Sequence, residues 1–146
     1  MKSSFGHSNI RSALSAIISR GERGGWQILP KVEVKFENYI LVPDLAGWKK
    51  ERLPELPETN WCDIPPDWIC EVLSPSSMRT DRIKKMTKYA EFGVFYAWIA
   101  HSIDRILDVY RLESGKWTLL TTACENDKLK AEPFQEIEID LKHLRW

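Results

Sequence analysis

Residues 67–73 read Asp67-Trp68-Ile69-Cys70-Glu71-Val72-Leu73, and the expected fold is built around this run. It is short and nearly continuously apolar, a pattern typical of a central strand that is covered on both faces of a sheet. Glu71 interrupts the apolar part of the run with a carboxylate. A buried acidic side chain is costly unless it is paired or binds a metal ion. The run therefore predicts a buried strand together with a site that uses its charge.

A second carboxylate, Asp44, ends another apolar run, Tyr39-Ile40-Leu41-Val42-Pro43-Asp44. If these two strands are neighbours that end at one edge of the sheet, both carboxylates reach the same cation. Magnesium or manganese prefers oxygen ligands and keeps several waters, so two carboxylates, the backbone carbonyl of Val72 and substrate oxygens would suffice. Such a metal activates water for phosphodiester hydrolysis. A helix with Asp81 and Lys85 one turn apart follows, and a lysine at such a site would orient the water and offset developing charge.

The elements before the central strand are predicted from apolar periodicity and from turn residues. They are a helix over 7–20, a glycine-rich turn over 21–25, strands over 26–34 and 39–48 that form a hairpin, and a proline-rich loop over 49–66.

The elements after the central strand are predicted in the same way. They are a helix over 79–92 that ends at Gly93, a strand over 95–100, a hairpin of strands 105–112 and 116–123, a last strand over 137–140 and a closing turn over 141–146. A glycine that follows a helix is a common helix stop. The whole order predicts one α/β (α+β) domain over 1–146, with a mixed sheet and few helices.

Composition excludes several classes of protein. Lys plus Arg equals Asp plus Glu at 21 each, so bulk positive charge does not carry this chain to nucleic acid. Three cysteines without a Cys-x-x-Cys spacing, and three scattered histidines, do not form a zinc site, and free thiols are expected. No apolar run approaches a membrane span or a signal peptide, so we expect a cytoplasmic protein that does not bind membranes.

Four motifs in this order resemble the Uma-type family of restriction-endonuclease-like proteins, within the PD-(D/E)XK nuclease superfamily. The motifs are Val42-Pro43-Asp44-Leu45-Ala46, Glu71-Val72-Leu73-Ser74-Pro75-Ser76, Asp81-x-x-x-Lys85-x-x-x-Tyr89, and Gly93-Val94 followed by Trp98-Ile99. The resemblance covers nearly the whole chain. It implies a restriction-endonuclease-like mixed sheet flanked by helices, and a magnesium- or manganese-dependent endonuclease with DNA as its substrate.

The resemblance also implies roles for single residues. Asp44 and Glu71 would be the metal carboxylates. The superfamily usually places a lysine two positions after the second carboxylate, where this chain has Leu73. Related families move that lysine to the next helix, which makes Lys85 the candidate. Asp81 would be a nearby supporting group or an ion-pair partner of Lys85. Apart from the resemblance, the position of His7 at the helix start makes it a further candidate for a contact with the substrate.

Plainer interpretations stay open beside these. Asp44 after Pro43 is also typical of a turn, and Glu71 would equally suit a structural ion pair with Lys85 or Arg82. His7 would equally cap its helix or lie at the surface.

A catalytically inactive relic, or an interaction module that keeps the nuclease fold, is the alternative function. It is motivated by the zero net charge and by an N-terminus that is shorter than in the family, whose members carry an additional acidic strand. A chain that begins at a wrongly chosen Met is a further interpretation. An edge strand left open at that end predicts a homodimer.

Overall fold

A six-stranded mixed sheet organises the protein, and the computed structural model describes residues 10–18, 25–74, 79–144 and 146. The strands are β1 (Trp26–Pro30), β2 (Glu33–Phe36), β3 (Tyr39–Leu41), β4 (Leu45–Lys49), β5 (Trp61–Cys62), β6 (Trp68–Leu73), β7 (Tyr96–His101), β8 (Ile106–Glu113), β9 (Lys116–Cys124), β10 (Lys128–Leu129) and β11 (Ile139–Asp140). The helices are α1 over residues 10–18, α2 (Arg79–Glu91) and a short 3-10 helix (Leu141–His143).

The main sheet has the strand order β1-β4-β6-β7-β8-β9. Only β6 and β7 pair in parallel, and the other neighbours are antiparallel. The parallel pair is connected through α2, as parallel neighbours require a crossover. The strand β6 lies inside the sheet and is buried along nearly its whole length, which confirms the prediction for residues 67–73. The mixed α/β fold is confirmed as well.

The two strands predicted before the central strand are each broken in two, and to that extent the prediction was wrong. The first breaks at Lys31, whose φ of 49° is incompatible with an extended strand. The second breaks before Asp44, where Pro43 has no N–H to donate to a sheet. Their halves still pair as a bent hairpin, β1 with β4 and β2 with β3, and β2 also pairs with β5 in a small second sheet.

The later elements agree closely with the prediction. Gly93 has a φ of 77° directly after α2, which explains why the helix ends there. The β8–β9 hairpin turns at Ser114 and Gly115, both with positive φ as tight hairpins require. The last strand is shorter than expected, since only Ile139–Asp140 pair, with β10. The predicted helix over 7–20 is helical at 10–18, and its ends and His7 lie outside the described residues.

The sheet separates two apolar cores. On one face α1 packs through Ile10, Leu14 and Ile18, at the four-residue spacing of a helix stripe. On the other face α2 and the small sheet cover Ile69 through residues that include Tyr89. The three cysteines are free thiols, as predicted. No helix in the described part of the chain is long and apolar enough to cross a bilayer.

Three rings form the centre of the α1-side core. Trp68, Trp98 and Phe134 meet edge to face at centroid distances of 5.1 to 5.7 Å. Such pairs stabilise a core beyond the area they bury. The two indoles differ in one respect. The Nε1 of Trp98 donates to the carbonyl of Glu132 at 2.8 Å, whereas the Nε1 of Trp68 has no partner among the described residues.

We predict that Trp98→Phe lowers the free energy of unfolding more than Trp68→Phe does. Both changes remove a similar part of a buried ring, but only Trp98→Phe also removes a hydrogen bond, worth about 1 kcal/mol. Urea unfolding of the two variants and the wild type measures the difference. Equal losses, or a larger loss for Trp68→Phe, would contradict this account.

Candidate active site

Asp44 and Glu71 face each other across neighbouring strands. The strands β4 and β6 pair with Leu45 opposite Cys70, Ala46 opposite Ile69 and Gly47 opposite Trp68. Continuing this register by one residue past Leu45 puts Asp44 opposite Glu71. Both side chains are buried, with exposed fractions of 4% and 7%. The fold therefore brings the two predicted carboxylates together, at the point where the β4–β6 ladder ends.

The Asp44 carboxylate is held on both oxygens. Its Oδ2 accepts a hydrogen bond from the backbone N–H of Val72 at 2.7 Å, and its Oδ1 accepts one from the Lys31 ammonium at 2.7 Å. The side chain thus bonds to β6 and to the break between β1 and β2. Asp44 itself lies at a bend directly before β4, so its turn position and its bridging contacts occur together.

The Glu71 carboxylate is held from the helix side. Lys85 Nζ lies 2.9 Å from each of its oxygens, and the Tyr89 hydroxyl donates to Oε2 at 2.7 Å. Burial raises the pKa of Glu71, the Lys85 ammonium opposes that rise and the Asp44 charge adds to it. Burial and the Glu71 charge raise the pKa of the Tyr89 phenol well above its ordinary value, so the hydroxyl stays protonated and donates.

Lys85 and Tyr89 reach Glu71 together because they lie one turn apart on α2, at the spacing that places two side chains on one helix face. Lys85 also donates to the carbonyl of Val42 at 3.3 Å. Its ammonium therefore connects the helix, the central strand and the segment that carries Asp44. The structural ion pair that sequence reasoning left open for Glu71 is present, and its partner is Lys85 rather than Arg82.

Of the other predicted site residues, Asp81 lies outside the cluster and Val72 lies in it. Asp81 is exposed, and in the described part of the chain Lys85 forms its ion pair with Glu71 and not with Asp81. The structure thus does not bring Asp81 into the cluster. Val72 contributes its N–H to Asp44, so its backbone lies against that carboxylate.

Sequence reasoning missed Lys31 as part of the site. Lys31 is half exposed and lies in a turn, so no local pattern distinguishes it from any solvated lysine. Tyr89 carried a detectable signal, because it lies one helical turn after Lys85 in the pattern Asp81-x-x-x-Lys85-x-x-x-Tyr89. In the structure it is fully buried. A tyrosine in that position needs a partner for its hydroxyl.

Other polar contacts among the described residues lie outside the cluster. Asp67, also buried, accepts from Arg52 at 2.8 Å and from the N–H of Lys49 at 2.9 Å, which anchors the long loop. His101 and Asp108 lie 2.9 Å apart on β7 and β8. A cavity of about 300 Å³ opens past the end of β6 and is lined by Leu73, Ser74, His101, Ser102, Ile103 and Asp104.

The donor set fits a hard divalent cation with few protein ligands. Among the described residues no group of three or more His, Cys, Asp or Glu side chains is arranged to hold a metal ion. Two buried carboxylates and a peptide carbonyl are oxygen donors of the kind that magnesium accepts while it keeps several waters. Zinc prefers sulfur and imidazole donors, and the described groups that contact the two carboxylates include neither.

Comparison with known proteins bears on the whole chain. The family model described as "Uma2: Putative restriction endonuclease" matches residues 1–142. None of the curated proteins matches. A crystal structure described as a "putative nuclease belonging to DUF820", from Anabaena variabilis ATCC 29413, superposes with a TM-score of 0.77 and 21% identity. The alignment covers 95% of this chain and 79% of that one, and at this identity it shows a shared fold.

A second solved structure, a DrdV–DNA complex determined by cryo-electron microscopy, is more distant. It has a TM-score of 0.44 and 13% identity, with 81% of this chain and 12% of that chain covered.

We predict that Glu71→Gln changes how stability depends on pH. Because the pKa of Glu71 is raised in the folded state, the wild type binds more protons folded than unfolded above the ordinary pKa of Glu. Its free energy of unfolding therefore falls as the pH rises from about 4.5 through the raised pKa, and Glu71→Gln lacks this loss. Relative to the wild type, the variant should gain stability as the pH rises through that window.

Urea unfolding between pH 4 and pH 8 measures this. Glu58→Gln is the matched control, since Glu58 is exposed. A difference between Glu71→Gln and the wild type that does not vary with pH would contradict the raised pKa.

Proposed function

This chain belongs to the family described as "Uma2: Putative restriction endonuclease", and from that membership we propose that it is a magnesium-dependent endonuclease that hydrolyses phosphodiester bonds in DNA. The observation that carries the proposal is the pairing of Asp44 with Glu71 at the end of the β4–β6 ladder, both buried and each contacted by a lysine. Such a concentration of buried charge is costly for stability. A catalytic use explains why it is there.

Each residue has a distinct part in the proposed reaction. Asp44, Glu71 and the carbonyl of Val72 would hold magnesium or manganese, which when bound polarises the phosphate and lowers the pKa of a water. The N–H of Val72 fixes Asp44, and the Tyr89 hydroxyl fixes Glu71, so both carboxylates are oriented in advance. Preorganised groups of this kind need no rearrangement at the moment of reaction.

Lys85 is the proposed catalytic cation. Its ammonium lies 2.9 Å from the Glu71 carboxylate and keeps a fixed position through its second contact, to the Val42 carbonyl. From there it would orient the attacking water and offset the negative charge that develops on the phosphate. This arrangement takes the place of the lysine that the superfamily usually has at the position of Leu73.

We predict that purified protein nicks or linearises plasmid DNA with magnesium or manganese, and that Asp44→Asn or Glu71→Gln abolishes cleavage. Lys85→Gln should lower the cleavage rate at least about 100-fold, because it removes a preorganised charge from the site. Lys84→Gln is the matched control, since Lys84 is exposed on the same helix. Cleavage that survives both carboxylate changes would overturn the assignment.

A second function is favoured by one observation. All four oxygens of the two carboxylates already have protein partners, and the two lysines neutralise them. A site closed in this way suits a catalytically inactive interaction module. Calorimetric titration with magnesium separates the functions: the nuclease gives a binding heat that Asp44→Asn removes, whereas the inactive module gives none.

We also propose an oligomeric state and a cellular location for this chain. The strand β1 ends the main sheet and pairs only with β4 within the described residues, and open strand edges favour pairing with a second copy. We therefore expect a homodimer, located in the cytoplasm.

Sedimentation velocity at several protein concentrations tests the association, and a boundary that stays at the monomer mass of 17.0 kDa would contradict it.

A further inference from the structure

Lys31 contacts Asp44 in two ways. Its ammonium lies 2.7 Å from Asp44 Oδ1, and its backbone N–H donates to the Asp44 carbonyl at 3.3 Å. The Lys31 side chain is 50% exposed, while the Asp44 side chain is only 5% exposed. The lysine therefore reaches the buried carboxylate from the solvent side, and it covers the oxygen that the Val72 N–H leaves free.

The two lysines of the site are held unequally. Lys85 is 28% exposed and contacts both Glu71 oxygens and the Val42 carbonyl. In the described part of the chain, Asp44 is the one side-chain partner of the Lys31 ammonium. An exposed lysine with one partner gains little net energy from it and regains side-chain freedom when released. The Lys31 ammonium is thus released from Asp44 more easily than the Lys85 ammonium is released from Glu71.

We propose that Lys31 is a placeholder cation for Asp44: it neutralises Oδ1 until a divalent cation takes that oxygen, and its released ammonium then binds a phosphate oxygen of the substrate. The proposal rests on the proposed function. Lys31 and the metal compete for Oδ1, because two cations at one oxygen repel each other. Because of this competition, the apparent metal affinity equals the intrinsic affinity multiplied by the fraction of molecules in which Oδ1 is free.

The first experiment measures metal affinity without any turnover. Isothermal calorimetry measures the binding of manganese to the wild type, to Lys31→Met and to Lys31→Arg. Lys50→Met is the charge-matched control at an exposed position. We expect Lys31→Met to bind manganese roughly three- to fivefold more tightly, as loss of one weak competing pair allows. Lys31→Arg and Lys50→Met should stay within twofold of the wild type. Lys31→Gln serves as a second neutral variant if Lys31→Met does not fold.

The second experiment measures DNA affinity, which the loss of the Lys31 charge should lower rather than raise. Binding of a short DNA duplex is measured with calcium in place of magnesium, over a range of salt concentrations. A neutral residue at position 31 should weaken DNA binding and lower the slope of log affinity against log salt by about one, as the loss of one phosphate contact requires. Lys31→Arg should keep both the affinity and the slope.

The outcomes separate this inference from the function beneath it. Manganese binding that Asp44→Asn removes and that Lys31→Met leaves unchanged or weakens would overturn the placeholder role alone. Unchanged DNA affinity and salt slope in the neutral variants would overturn the phosphate contact. No binding heat in the wild type or in any variant would overturn the metal site itself, and the placeholder with it.

Discussion

The hydrogen bond from the Val72 N–H to Asp44 Oδ2 is the constraint on which the rest of the site depends. The β4–β6 ladder has backbone pairs only as far as Leu45 opposite Cys70. Beyond that point a buried N–H on β6 needs another acceptor, because an unsatisfied one is costly. The carboxylate of Asp44 supplies it. The chain thereby ends a strand pairing with a charged side chain, and that charge then requires cations.

The two faces of β6 differ in polarity. Trp68, Cys70 and Val72 belong to the α1-side core, where rings and aliphatic groups supply stability. Ile69 and Glu71 face α2, and this face carries the buried charge. The net stability of a domain is only a small difference between large terms, so a buried charged site needs an offsetting contribution. The well-packed aromatic core on the other face of β6 supplies it. The chain's zero net charge has a local counterpart here, with two carboxylates and two ammoniums.

Much of this could be predicted from the sequence, and the limits have physical causes. The central strand, α2 with its stop at Gly93 and the β8–β9 hairpin follow from local signals, namely burial pattern, helix period and turn residues. Glu71 stands out because a carboxylate in an apolar run has few uses. Lys31 does not stand out, since its role is set by a bend in the backbone and by a partner in another strand. The break at Lys31 depends likewise on a backbone bend that no residue type there marks, whereas Pro43 marks the break before Asp44 in the sequence itself.

The contacts of α2 with Glu71 have a consequence for assembly. Before α2 packs on the sheet, Glu71 has neither the Lys85 ammonium nor the Tyr89 hydroxyl as a partner. Packing of the helix buries the carboxylate and supplies both partners in one event. A misaligned helix would bury a lone charge, which is strongly penalised. Glu71 thus favours the placement of α2 in which the Lys85 ammonium and the Tyr89 hydroxyl both reach its carboxylate.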